Sequence, residues 1–497
     1  MARSSASIIG LSYVLLVGAY IWKDSAWEVY DLAVGDHSLF VRRAAETIMV
    51  GCVVVAWTLY LGKKRRQREC YLVDYSCYRV PEDRKMNAET SIYFSCNYQP
   101  LVAEHLGLQW KVFLRSGLGD ETGASHFLFN GRGEATLPEA RLEMRESFTV
   151  VLDELFAKTR IHPQQIDILI VTVSTFTPAP SHASWIVHHY NMKESVKTFN
   201  LSGMGCSANV IGVDMAKDLF RLYPDSYALV VGTECITVNA NYQGSDKSMM
   251  LTNCLFRVGG YAVLLSNNTR EAERAKMRLR HVVRTIVGAD DESYGCVMGK
   301  EDADGFYGIS LRHSLIQVAG NAVRRNLATL GPKVLPLREM LYYAFNTVCI
   351  KLFKMKVEPY IPNFRLAFQH FCIHPGGRAV VNGMGKNLRL ADFDLEPSRM
   401  ALHRFGNTST SGLWYEVAYM EAKGRLKAGH RLLHIALGSG FKCNTAVWEV
   451  MRESRPGEMD FNVWNDCIHR YPCNTRHRFT DDYCQVYFDA FRSATVA

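Results

Sequence analysis

Four short segments of this chain hold residue types that could share one reaction. Residues 201–208 read LSGMGCSA, placing Cys206 between a glycine turn and an apolar-periodic helix. Gly203 and Gly205 allow a tight turn. A thiol at a helix N-terminus feels unpaired N–H groups and the positive end of the dipole, which would lower its pKa and favour thiolate. A buried, inert cysteine on a turn fits that motif equally well. Residues 370–378 read HFCIHPGGR, with His370 and His374 four apart, and residues 403–409 read HRFGNTS, with His403 and Asn407 four apart. Histidine is a base or a donor, and asparagine donates without ionising. Such spacings could also serve a metal, but no HExxH or carboxylate partner accompanies them. Residues 438–444 read GSGFKCN. A Gly-Ser-Gly turn after a strand exposes backbone N–H groups, as an oxyanion hole requires.

Regular elements must carry these segments. Apolar, β-branched runs predict buried strands at 166–173, 227–231, 261–266, 366–373 and 432–437. Between them, 208–222 and 411–427 read as helices with one apolar face. Strand–helix alternation indicates an α/β fold with a largely buried sheet. A strand, a Gly/Cys turn and a helix appear first; a strand, a His-Gly turn and a helix follow after about residue 360. Two related α/β halves account for that order.

Composition narrows the function classes. The chain has 497 residues, 48% hydrophobic and 21% charged, so it can bury a sizeable core. The formal charge of +8 is partly local, in KKRRQR at 63–68. No separate basic patch interleaved with aromatics points to nucleic acid. The 14 cysteines contain no CxxC pair, and their scatter suggests reduced thiols facing the cytosol. Cys467, His469, Cys473, His477 and Cys484 could ligate zinc, although ordinary residues of an irregular tail explain them better.

Residues 5–22 and about 44–62 are apolar runs near the length of a spanning helix. A signal peptide explains the first poorly, since Arg3 is its only early cation and no clear cleavage site precedes Lys23. A buried core helix is the rival for the second, but Trp57, Tyr60 and the cations that follow fit a cytosolic exit. The expected topology is a hairpin with both ends cytosolic; one that dips into a single leaflet is the alternative.

The four segments, in this order, resemble plant-type 3-ketoacyl-CoA synthases, the condensing enzymes of very-long-chain fatty acid elongation. So do YLVDYSCYRVPEDRK (71–85), SGLGDET (116–122), SYALVVGTECIT (226–237), NCLFRVGG (253–260) and WNDCIHRYP (464–472). The resemblance covers nearly the whole chain. It implies a thiolase-like five-layered αβαβα core of two similar halves, preceded by a membrane hairpin of two helices. The expected division is 1–68 for the anchor, 69–355 for the half with the nucleophile and 356–497 for the half with His, Asn and the glycine loop.

The resemblance further implies an acyltransferase that condenses a long-chain acyl-CoA with malonyl-CoA, with no metal and no cofactor beyond these CoA substrates. Cys206 would hold the acyl chain. His374 and Asn407 would stabilise the malonyl-derived enolate, and His374 would favour the Cys206 thiolate. Cys206 with Gly438, Ser439, Gly440 and Phe441 would hold the acyl oxyanion, and His370 and His403 would have supporting roles. Expected partners are the lipid bilayer, a second copy, and the ketoacyl reductase, hydroxyacyl dehydratase and enoyl reductase of elongation. The expected location is the endoplasmic reticulum membrane, with the catalytic body facing the cytosol. The sequence departs from the family at Ile286, where relatives carry histidine, at Ala240, where they carry tryptophan, and at Pro375, where alanine is common. A type III polyketide synthase and a non-catalytic elongase scaffold are the alternatives.

Overall fold

The computed structural model describes residues 48–49, 51–52, 69–98, 106–130, 135–239, 241, 246–455 and 457–475. The chain divides into Met1–Arg68 and Glu69–Ala497. The run 5–22, nearly all of 44–62, the cationic stretch 63–68, Ala240, His477 and Cys484 lie outside the described residues. No helix among the described residues is long and apolar enough to cross a membrane.

Among the described residues, nine strands of the second unit form the main sheet: β1 Tyr71–Cys77, β2 Ile168–Thr172, β3 Lys197–Leu201, β4 Tyr227–Thr233, β5 Gly260–Ser266, β6 Met277–Ile286, β7 His370–Ile373, β8 Arg431–Gly438 and β9 Lys442–Val450. The helices that matter to the site are α1 Leu137–Thr159, α2 Ala208–Leu219, α3 Leu315–Val334, α4 Leu337–Lys351, α5 Arg378–Leu388, α6 Asp392–Phe405 and α7 Gly412–Ala422. The strand order is β7-β8-β9-β6-β1-β5-β4-β2-β3.

That order contains a repeat. In one set β3, β2 and β4 run parallel, while β4–β5 and β5–β1 are antiparallel. In the other, β7 and β8 run parallel, while β8–β9 and β9–β6 are antiparallel. Among the described residues, only Tyr71↔Arg278 and Leu72↔Met277 pair the two sets. The second set opens at β6, and the sequence-based division at 356 falls inside it, between α4 and β7.

Side-chain alternation explains how the sets stack. Ile168 and Ile170 on β2, with Leu432 and Ala436 on β8, join one core that also holds Val210 and Val213 of α2 and Leu413, Trp414 and Val417 of α7. The intervening Leu169 and Val171 face Met144, Phe148 and Val151 of α1 in a second core. Leu433 and Leu437 face Val323, Leu327 and Leu330 of α3 in a third. A period of two along each strand therefore yields helix, strand, helix, strand, helix layers.

Most boundaries predicted from sequence differ by a few residues. The apolar run at 366 is not strand until His370, because Phe364–Leu366 forms a 3-10 turn. The region 411–427 was expected to have a polar face. Its helix α7 instead spans Gly412–Ala422 and is buried on all sides through Met420, Glu416 included. Central position between the strand sets removes any solvent-facing side. Burial keeps the Glu416 carboxyl protonated well above its ordinary range; it accepts from Ile373 N (3.0 Å) and Ser398 Oγ (2.6 Å), tying α7 to the end of β7.

Candidate active site

Cys206 sits in a 3-10 turn, Gly205–Ser207, that leads directly into α2. The turn packs against the loop between β8 and β9. A Cβ on Gly205, whose φ is +62°, would lie 2.5 Å from Ser439 N, and one on Gly438 would collide with Ser207 Oγ. Only glycines permit this contact, which brings the backbone of 438–440 against the nucleophile turn.

The Asn407 loop approaches Cys206 from the other strand set. Asn407 is fixed by its own backbone: its N–H donates to Leu255 O, its carbonyl accepts from Arg257 N, and its Oδ1 accepts from Ser409 N at 3.0 Å. Its Nδ2 reaches Gly376 O at 3.4 Å, which ties it to the turn after His374. Ser409 Oγ lies 3.4 Å from Cys206 Sγ and 3.5 Å from a Glu234 carboxylate oxygen. The Glu234 carboxylate also accepts from Thr175 Oγ1 (2.7 Å) and from the N–H groups of Ser174 and Thr175. Ser409 and Glu234 are thus neighbours of the nucleophile that sequence reasoning assigned no part. Each lies within a family-like motif, NTS and TECIT, but only the fold brings them to the sulfur.

His374 follows directly on β7 and is buried. Its ring lies beside Gly376, and its Nδ1 has no hydrogen-bond partner. Burial lowers its pKa to about 4, so the ring is neutral at pH 7. A neutral imidazole still offers one N–H donor.

The thiol departs from expectation. Burial pushes the Cys206 pKa up to about 12; the Ser409 hydrogen bond opposes that rise and the Glu234 charge adds to it. Desolvation outweighs the helix terminus, so the free site holds a neutral Cys206 thiol, not a thiolate, and the His374 ring is neutral as well. The Cys206 residue itself keeps partial exposure.

The supporting histidines are placed elsewhere. His370 opens β7, and its Nε2 is 3.0 Å from His430 Nδ1. Burial, followed by His430, lowers its pKa to about 4. His403 lies in the last turn of α6, with Tyr471 Oη at 3.4 Å and Cys473 Sγ at 3.6 Å from its Nδ1. Its ring fills the space a side chain at Gly119 would need. Ile286 is exposed at the end of β6, paired in register with Lys442. Pro375 packs where a Cβ on Gly412 would fall, closing the start of α7. No group of metal-ligating side chains occurs among the described residues.

A cavity of about 320 Å³ is lined by Gly117, Arg378, Asn382, Arg399 and Leu402, among others. Arg378 begins α5, four residues after His374. Burial and then the nearby Arg399 charge lower the Arg378 pKa.

The family described as FAE1/Type III polyketide synthase-like protein matches residues 62–352, and the C-terminal domain of chalcone and stilbene synthases matches residues 345–451. The 3-ketoacyl-CoA synthase 4 of Arabidopsis thaliana is 46% identical over 86% of this chain and 82% of its own. The 3-ketoacyl-CoA synthase 11 of the same plant is 44% identical over 92% and 89%. The fold is that of type III polyketide synthases. PKS-I of the brown alga Ectocarpus siliculosus aligns with a TM-score of 0.60 at 14% identity, covering 78% of this chain and 99% of that one. The tetrahydroxynaphthalene synthase of Streptomyces coelicolor aligns at 0.61, also at 14% identity, over 77% and 99%. Fold and relatives agree: this chain belongs to the 3-ketoacyl-CoA synthases, acyl-condensing enzymes of the FAE1/type III polyketide synthase-like family.

Proposed function

We propose that the chain joins a long-chain acyl-CoA to a two-carbon unit from malonyl-CoA. The observation that carries this reading is the convergence of Cys206, the Asn407–Ser409 loop and the 438–440 backbone from two strand sets. The Cys206 sulfur attacks the acyl thioester carbonyl. The carbon–sulfur bond to CoA breaks, and CoA leaves with the thiol proton. Malonyl-CoA then loses carbon dioxide, leaving an enolate whose oxygen takes hydrogen bonds from His374 and Asn407. The enolate carbon attacks the acyl-Cys206 carbonyl, the bond to sulfur breaks, the released Cys206 thiolate takes up a proton from solvent, and a 3-ketoacyl-CoA two carbons longer departs.

A neutral His374 suits this part, because it donates to the enolate without an ion pair to break first. Ser409 hydrogen-bonds the thiol and connects it to Glu234, so the proton has a path away from sulfur. Arg378 and Arg399 line a cavity beside the His374 turn, and their mutual repulsion would be relieved by the phosphates of CoA. The membrane hairpin of 5–22 and 44–62, the endoplasmic reticulum location with a cytosolic body, a homodimer and the three further elongation enzymes complete the reading. The apolar N-terminal runs support the anchor.

Labelled acyl-CoA tests the covalent step: wild type should acquire label that Cys206→Ala does not. Equal labelling of both would overturn the mechanism. With malonyl-CoA added, one extension is expected; repeated extension with cyclisation would favour a polyketide synthase. Carbonate extraction tests the anchor, since release into the supernatant would contradict it.

A further inference from the structure

Helix α4 is amphipathic in the reverse sense. Leu337, Leu341, Phe345, Val348 and Leu352 recur at intervals of four, four, three and four, the spacing of one helix face. In a helix packed on a core that face turns inward, as it does in α3, where Val318, Ala322, Val323 and Leu327 are buried. In α4 it turns outward: Leu337 is 74% exposed, Phe345 71% and Leu352 71%. The residues α4 buries are Glu339 and Cys349. Glu339 is held by Tyr360 Oη at 2.7 Å and Asn363 N at 3.0 Å. The apolar surface continues past the helix through Phe353, Met355 and Val357, all exposed.

Cations frame this surface. Lys333, Arg338, Lys351, Lys354 and Lys356 are exposed, and the exposed acid between 333 and 358 is Glu358, because Glu339 is buried. A patch this apolar marks an interaction surface. A two-fold contact with a second copy would set the same cations against themselves. An anionic lipid surface meets both demands: headgroups take the lysines, and the leucines and phenylalanines enter the acyl boundary. Fifteen residues at 1.5 Å each give a helix of about 22 Å, suited to lying in the interface rather than crossing it.

We propose that residues 337–357 form a lipid-contact surface of the catalytic unit, lying in the headgroup region of an anionic membrane. This rests on the reading that the enzyme works at a membrane on long acyl chains, and it adds a contact separate from the N-terminal runs. Such a contact would hold the unit on the surface where those chains partition.

The test uses the full chain carrying Phe345→p-benzoylphenylalanine, reconstituted with vesicles of phosphatidylcholine and phosphatidylserine, irradiated and analysed by mass spectrometry. Leu222→p-benzoylphenylalanine is the control, because Leu222 is 72% exposed at the other end of the α2 region. Phospholipid adducts at 345 should exceed those at 222 by about tenfold, and should fall when Lys351, Lys354 and Lys356 are all replaced by glutamate. Adducts at 345 to a second copy, to residues 1–68, or no more lipid than at 222 would each overturn the proposal while leaving membrane attachment intact. A chain that does not associate with the vesicles at all would overturn both.

Discussion

Helices α2 and α7 begin alike and serve different chemistry. Each comes just before the strand that extends its set's parallel pairing, β4 for α2 and β8 for α7, and each is preceded by a one-turn 3-10 segment, Gly205–Ser207 and Ser409–Ser411. Each turn contains a positive φ, +62° at Gly205 and +53° at Ser409. On the α2 side a glycine takes that conformation, since any side chain there would strike the Ser439 backbone. On the α7 side a residue with a Cβ takes it, at a backbone cost of about 1 kcal/mol, and its hydroxyl reaches the sulfur of Cys206. One helix start is shaped to admit a close backbone; the other accepts strain to deliver a polar atom. The repeat supplies two similar helix ends, and the side chains divide nucleophile from donor between them.

The comparison yields a series of expected outcomes. The largest effect tests the donor side: Asn407→Asp places a carboxylate against the enolate, and condensation should fall by about 10²–10³-fold while labelling of Cys206 by acyl-CoA survives. Near-normal condensation would remove Asn407 from its part. A stability effect comes next, because the second strand set and its flanks bury His370, His374 and His434. Burial lowers the His434 pKa to about 3. The unfolded chain titrates histidine near 6.5, so below that pH it binds protons that the fold refuses, and stability falls as pH falls towards 4. Each of these rings should cost about 2 kcal/mol at pH 5 relative to pH 7.5. Urea midpoints at the two pH values check this: His434→Leu should reduce the difference, and an unchanged difference would show that the ring does not contribute.

Smaller effects separate strain from chemistry. Ser409→Gly relieves the left-handed backbone and removes the hydroxyl. Acyl labelling of Cys206 should slow by about tenfold, the worth of one hydrogen bond, while thermal stability holds or rises. A variant that loses stability and keeps its rate would reverse the contrast between the two helix starts. Smallest is Arg378→Ala, expected to raise KM for malonyl-CoA several-fold with little change in kcat, as befits uniform binding of the phosphates. An unchanged KM would disconnect the cavity from CoA.

The site was legible in the sequence where local spacing carries information. Cys206 stands out through the glycines before it and the helix after it, and Gly438 and Gly440 through the strand they follow. His374 and Asn407 were placed by resemblance, since four-residue spacing alone could as well suggest a metal. The strands β1, β3, β6 and β9 were missed; for β6 and β9 the cause is charge. Arg278, Arg280 and Arg284 on β6 interrupt the apolar pattern, and Arg278 and Arg280 pair with Glu449 of β9. A cross-strand ion pair hides a strand from a hydrophobicity reading.

The sequence by itself determined the nucleophile's turn, the alternation of strand and helix, and the family. Tertiary structure decided the protonation of the site and the neighbours of the sulfur. Cys206, Ser409 and Glu234 are distant in the chain, so no spacing relates them, and the energy that holds the thiol neutral comes from burial between two strand sets. It also decided which face of α4 meets solvent. Periodicity shows that a helix has an apolar row, but only packing shows whether that row turns towards the core or away from it.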